Sequence, residues 1–275
     1  MSELLRLTDV SKSYPRGSQD LHVLQGASLD VQAGELVCVL GMRGQGKTTL
    51  LRIAAGMESA DTGVVSFEGQ DLATLPDAAL SRLLGERIAW AGKRGPRTQV
   101  RMFDYVAMPL LARAGSGVQR GSVSRRLLER RRYKRAVDAR ALAALERVGA
   151  SGCAEQRWAT MSDWERALVE VAQAIADQPA LLVVDDVTDT LGMRETETFT
   201  ALLRSLSRES QLGVLMSVSD PQATLLSDRT MTLVGGRLTQ RPRSPVSGRP
   251  RPSGKLIRLP DPASQAREAG YGSIS

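Results

Sequence analysis

The run Gly41-Met42-Arg43-Gly44-Gln45-Gly46-Lys47-Thr48 restricts the possible folds of this chain more than any other segment. Its spacing is that of a phosphate loop, GxxxxGK[ST]. Glu35-Leu36-Val37-Cys38-Val39-Leu40 precedes it, an apolar run suited to a buried parallel strand. TTLLRIAAGM follows and reads as a helix. Strand, glycine loop and helix start together aim backbone N–H groups and the positive end of a helix dipole at one anion. Gly41, Gly44 and Gly46 let the main chain approach phosphates closely, with Arg43 and Gln45 between them. Lys47 is placed to reach the β- and γ-phosphates, and Thr48 to offer its hydroxyl to Mg²⁺. A second half of the site lies far downstream. Ala180-Leu181-Leu182-Val183-Val184-Asp185-Asp186 is an apolar strand ending in carboxylates, and Asp185 is the candidate for holding Mg²⁺ through its water shell.

Composition narrows the function classes. With 42% hydrophobic residues over 275, the chain can bury a core. No stretch reaches the roughly eighteen apolar residues of a membrane span, and MSELLRLTDV is too acidic for a secretory leader. Two cysteines, Cys38 and Cys153, are expected as buried reduced thiols. The single histidine, His22, excludes a poly-histidine metal site and is expected to have no catalytic role. The formal net charge of +7 is concentrated in residues 120–140 and 237–275, leaving the remainder mildly acidic. That distribution argues against nucleic acid as a partner. Residues 240–275 are rich in Pro, Arg and Ser and are expected to form a disordered basic tail behind a domain spanning 1–239. The tail is either a solvated extension or a weak electrostatic contact with anionic lipid or a partner, at about 1 kcal/mol per Lys or Arg near a leaflet. Residues 121–150 read as an Arg-rich helix, with Leu127, Leu128, Val137, Leu142 and Leu145 as its apolar positions.

Residues from about Leu4 to Leu238 resemble the ATP-binding subunit of an ABC transporter, in the pattern of the lipoprotein-release and macrolide-export type. The likeness rests on the phosphate loop and on SKSYPRG, ADTGVVSFEGQDL, RMFDYVAMPLL and ADQPALLVVDD. It implies an α/β P-loop ABC-ATPase fold with an antiparallel β subdomain and an inserted helical subdomain over about 94–167. A hairpin through Gly235-Gly236 is expected to close the domain. The implied cofactors are ATP and Mg²⁺. Tyr14 takes the position that stacks on adenine, Gly41 to Thr49 the phosphate loop, and Thr48 with Asp185 the metal. The implied partners are an integral-membrane permease and a second ATP-binding subunit, identical or related. Localisation is then cytoplasmic, on the inner face of the cell membrane through the permease.

Several positions depart from the family's pattern. Its magnesium-contacting glutamine aligns with Lys93, which would repel the metal, reach a phosphate or point to solvent. Its LSGGQ signature, which meets ATP on the opposite subunit, aligns with Met161-Ser162-Asp163-Trp164-Glu165. Ser162 is kept, whereas Asp163 brings negative charge and Trp164 brings bulk. Ser162 and Glu165 also have capping-box spacing, so the same residues make a good ordinary helix start. The catalytic glutamate is replaced by Asp186, whose carboxylate is shorter by roughly 1.5 Å, a distance that matters to water positioning. The switch histidine is replaced by Ser219. In a dimer of composite sites these losses fall on both sites, whichever partner is chosen. The expectation is Mg-ATP binding with slow or absent hydrolysis. The competing class is a nucleotide-responsive regulator or scaffold that does not drive transport.

Overall fold

A computed structural model describes residues 3–17, 19–92, 95–96, 99–114 and 123–240 of the chain. Lys93, the side chains of Leu127 and Leu128, and the tail beyond Gln240 lie outside the described residues.

Two sheets organise the body. The antiparallel one has the order β2-β1-β4-β5, from β1 (Glu3–Arg16), β2 (Gln19–Gln32), β4 (Thr62–Phe67) and β5 (Gln70–Asp71). The other has the order β10-β9-β3-β8-β7-β6. Its members are β3 (Leu36–Leu40), β6 (Ile88–Gly92), β7 (Leu181–Asp185), β8 (Gly213–Val218), β9 (Arg229–Val234) and β10 (Arg237–Gln240). Strands β9, β3, β8, β7 and β6 run parallel. Only β10 is antiparallel, joined to β9 through Gly235 and Gly236 at φ 54 and 76. A side chain at Gly236 would place its Cβ 2.9 Å from the Val23 carbonyl oxygen, so this turn needs glycine twice over.

β3, β7 and β8 read as continuous apolar runs because both faces of the parallel sheet are covered. The period of two divides their side chains. Leu36, Cys38, Leu182, Val184, Val214 and Met216 face one core. It is built with α3 (Met102–Ala114), α4 (Val123–Arg147), α5 (Asp163–Ile175) and α6 (Met193–Ser210). Val37, Val39, Leu181, Val183 and Leu215 face a second core with α1 (Lys47–Ala54) and the antiparallel sheet. The remaining helix, α2 (Asp77–Glu86), lays Leu80, Leu83 and Leu84 against the second core. Leu50 and Leu51 of α1 are fully buried there. At roughly 1.5–3 kcal/mol for each buried side chain of this size, they anchor the helix whose first turn must hold still under the phosphate loop.

Helix α4 forms as its Ala- and Arg-rich composition predicts, but with a different stripe. Val137, Ala141, Ala144, Leu145 and Val148 are buried, whereas Leu142 is 44% exposed. Small alanines let the helix pack closely at the i, i+4, i+7 positions, and Leu142 falls off that line. Both cysteines are buried and free. Burial pushes the thiols up, to about 12 for Cys38 and about 11 for Cys153, so they stay protonated and unreactive. Among the described residues no helix is long and apolar enough to cross a membrane.

Candidate nucleotide site

The glycine loop leaves β3 and enters α1 with a geometry only glycine permits. Gly44 and Gly46 have φ of 80 and 95. A Cβ at Gly46 would lie 2.5 Å from Val23 Cγ1 and 3.0 Å from the Val23 carbonyl. A Cβ at Gly41 would lie 2.9 Å from the Leu233 carbonyl. The loop is braced from within by the Met42 N–H, which donates to Gln45 Oε1 at 3.1 Å. Gly46 caps α1 without any side-chain hydrogen bond, and the first turn carries no acid. Its N–H groups are therefore left for an external acceptor.

Lys47 is almost wholly buried. Its ammonium donates to the Gly41 carbonyl at 2.9 Å, the Met42 carbonyl at 3.2 Å and Ser219 Oγ at 3.1 Å. Three donors and three acceptors satisfy it fully, and a phosphate oxygen in the cleft would have to replace one of them. The cleft beside it is lined by Arg43, Gly44, Thr48, Thr49, Asp186 and Asp189.

The carboxylates enter from β7. Because β7 pairs with β8 and β8 with β3, Asp185 arrives beside the start of α1. Thr48 Oγ1 donates to Asp185 Oδ1 at 3.2 Å, and Ser217 Oγ on β8 donates to the same oxygen at 2.8 Å. Burial pushes the Asp185 carboxyl above the usual carboxylate range; the Ser217 and Thr48 donors and the Lys47 charge oppose this, while Asp186 adds to it. A half-buried carboxylate paired with a threonine hydroxyl suits a hydrated divalent cation, whose charge would favour the ionised form. Together with a glycine loop that leaves the first N–H groups of α1 without a side-chain cap, these residues fit Mg²⁺ and a polyphosphate.

Asp186 also lines the cleft, with its backbone left-handed at φ 52 and ψ 20. Its N–H donates to Ser217 Oγ at 2.9 Å. Three residues on, in the following 3-10 turn, Asp189 accepts from Arg43 Nη2 at 3.1 Å and Nε at 3.2 Å. The phosphate loop is thereby tied to the turn after the metal-side strand. Tyr14 sits at the other end, where β1 meets the segment after α1. Its hydroxyl donates to Glu58, its ring lies 5.7 Å from the Lys12 ammonium, and Thr49 is a further polar neighbour. Burial, followed by the Glu58 contact, holds its phenol above the ordinary value. His22 is exposed on β2, where it meets Ser13 Oγ at 2.8 Å.

The segment aligned with the signature is a closed helix start. Ser162 Oγ accepts the Glu165 N–H at 3.2 Å, and Glu165 Oε2 accepts the Ser162 N–H at 2.9 Å, a reciprocal capping box. Asp163 pairs with Arg166 at 3.0 Å. Trp164 turns its ring edge toward Phe199, with centroids 6.5 Å apart.

Three polar residues of this neighbourhood were not singled out by the motifs: Ser217, Asp189 and Glu170. Ser217 had a signal, a hydroxyl inside the apolar run GVLMSV, which needs a partner when buried. Glu170 had one too, an acid on the buried face of α5. It accepts from the Gly95 N–H at 2.9 Å and the Tyr105 hydroxyl at 3.0 Å. Asp189 had none, since its partner is distant in sequence.

Of the residues expected in the site, the fold brings together Gly41 to Thr49, Asp185, Asp186 and Ser219. A parallel sheet with a phosphate loop at the end of β3, a metal-side carboxylate on β7, an antiparallel sheet and a helical insert defines a P-loop domain of the ABC-ATPase class. The comparisons give the family. The model of the ABC transporter family matches residues 24–189, and the chain belongs to that family. It is 30% identical to the lipoprotein-releasing system ATP-binding protein LolD of Chromohalobacter salexigens, over 86% of this chain and 93% of that protein. It is also 30% identical to the macrolide export ATP-binding/permease protein MacB of Escherichia coli, over 88% of this chain but only 35% of MacB. The dimeric ABC transporter cassette MJ0796 superposes with a TM-score of 0.71 at 21% identity, over 86% of this chain and 96% of that one, which speaks to the fold.

Proposed function

We propose that this chain is an ATP-binding subunit that holds Mg-ATP, couples nucleotide-dependent dimerisation to a separate membrane permease, and hydrolyses ATP slowly or not at all. The ATP-binding and permease part of this reading is supported by two relatives, one an ATP-binding protein of a lipoprotein-releasing system and the other an ATP-binding/permease protein for macrolide export. The observation that carries it furthest is the contrast within the site. Lys47, Thr48 and Asp185 are assembled for a metal polyphosphate, while Ser162 is engaged in its own capping box. When bound, Mg²⁺ supplies charge neutralisation. The chain's own part is to cradle the phosphates with loop N–H groups, orient them with Lys47, and face the metal with Thr48 and Asp185.

On this reading residues 1–239 form the ATP-binding domain and the insert over about 94–167 faces the permease. The protein then sits on the cytoplasmic side of the membrane. Arg131, Arg132, Lys134 and Arg135 are exposed on α4 and supply a basic face toward anionic lipid. The shortened Asp186, Ser219 in place of the switch histidine, and Asp163 with Trp164 in the signature leave neither composite site whole. The test is native mass spectrometry of the detergent-extracted complex with Mg-ATP. A multi-span permease with two ATP-binding chains supports the reading, and a chain that extracts without a permease refutes it.

The degraded catalytic set favours a second reading, a regulator for which hydrolysis is dispensable. Complementation with Asp186→Asn separates the two. Unchanged function favours the regulator, and loss favours a driven transport cycle.

A further inference from the structure

Ser217 stands out within the strand that carries it. All of β8 is buried, and Ser217 is fully so, flanked by Leu215, Met216 and Val218. A hydroxyl in such a place is unfavourable unless its bonds are made. Here they are made to the two carboxylate residues at the end of the neighbouring strand. The hydroxyl oxygen accepts the Asp186 N–H at 2.9 Å. Its single proton has two carboxylate oxygens in range, Asp185 Oδ1 at 2.8 Å and Asp186 Oδ1 at 3.4 Å. The shorter contact takes the proton. Asp185 Oδ1 then receives two donors, Ser217 and Thr48. Among the described residues no hydrogen bond reaches Asp185 Oδ2. Two residues on, facing the same side of the strand, Ser219 receives the Lys47 ammonium at 3.1 Å.

We propose that Ser217 is a positioning residue: by binding Asp185 Oδ1 and the Asp186 N–H together, it fixes the Asp185 carboxylate so that its other oxygen is presented to the Mg²⁺ of bound Mg-ATP. The inference rests on the reading of the site as an Mg-ATP site and adds to it a residue outside the phosphate loop and the carboxylate pair. Thr48 alone cannot fix the carboxylate, because its hydroxyl is also the one offered to the metal. Ser217 keeps its hold on Oδ1 whatever Thr48 does. It also satisfies the N–H of a left-handed Asp186, so that residue is held at the turn without a flanking glycine.

The experiment is ATP titration of the full chain by calorimetry, with Mg²⁺ and with EDTA, for wild type, Ser217→Ala and Ser217→Cys. Thermal unfolding of each variant is measured alongside. Loss of the hydroxyl is expected to weaken Mg-ATP binding on the order of tenfold and to leave metal-free ATP binding within about twofold. Cysteine, with a weaker donor of similar shape, is expected to lie between, and it keeps the comparison available if the alanine variant does not fold. Equal weakening with and without metal, or no change in either, overturns the role of Ser217 while leaving the Mg-ATP reading intact. A wild type that binds no ATP in either condition overturns both.

Discussion

Helices α1 and α5 begin in opposite ways, and the proposed function rests on that difference. At α1 the cap is Gly46, in a left-handed conformation, with no side-chain hydrogen bond and no acid in the first turn. At α5 the cap is Ser162, with a complete capping box and two acids, Asp163 and Glu165, in the first turn. Every helix start has unpaired N–H groups and a positive dipole end. Whether it receives an anion depends on whether the chain has already supplied one. The α1 start is left open and backed by the Lys47 ammonium. The α5 start is closed by its own serine and glutamate, and Asp163 is balanced by Arg166. On the proposed reading, the α5 start has been given over to ordinary helix stability and the α1 start kept for the nucleotide.

The contrast can be broken most strongly at the open end. Lys47→Ala is expected to weaken ATP binding at least about 100-fold by calorimetry, since a charged hydrogen-bond donor to phosphate contributes roughly 1.5–3 kcal/mol for each bond lost. Gly46→Ala follows. Its Cβ would press on Val23 at 2.5 Å with φ at 95, and strain of roughly 1–3 kcal/mol should appear as about tenfold weaker binding and a lower Tm.

The closed end offers a gain rather than a loss. Asp163→Gly and Trp164→Gly together with Asp186→Glu and Ser219→His are expected to raise steady-state ATP turnover by at least about tenfold, a fraction of the roughly 100-fold or more by which single general-base and electrostatic groups act. Some stability is lost because Trp164 leaves Phe199. Ser162→Ala should lower stability by about 1 kcal/mol through the lost cap and leave ATP affinity unchanged, as chemical denaturation and calorimetry would show.

The smallest effect concerns Glu170. Burial holds its carboxyl above the ordinary value, against the Tyr105 hydroxyl and the Gly95 and Gly92 N–H groups that favour its ionised form. A carboxyl raised in the folded state destabilises where it is ionised, and that penalty disappears as pH falls through its folded value. Glu170→Gln is therefore expected to be slightly stabilising near pH 8, with the advantage shrinking toward pH 5, read by Tm against pH.

Much of the fold and the open half of the site was legible in the residues. A phosphate loop has local demands: glycines at fixed spacing, an apolar strand before it and a helix after it. Asp185 was legible because an apolar strand ends on it. The capping box was legible from the spacing of Ser162 and Glu165. What stayed hidden depends on register between distant strands. Nothing local to Ser217 says that β8 lies beside β7, which brings its hydroxyl to Asp185 and Asp186. Nothing local to Arg43 points to Asp189. The buried stripe of α4 was partly misread for a related reason. Alanines at 141 and 144 carry the packing, whereas Leu142, the more apolar residue, faces outward.

The division between an open and a closed helix start is tested most directly by measuring ATP binding and steady-state turnover on one purified sample at saturating Mg-ATP. Saturable binding that requires Lys47, with turnover far below the common enzyme scale of about 10 s⁻¹, is the predicted result. Turnover at that scale, abolished by Lys47→Ala, would contradict it.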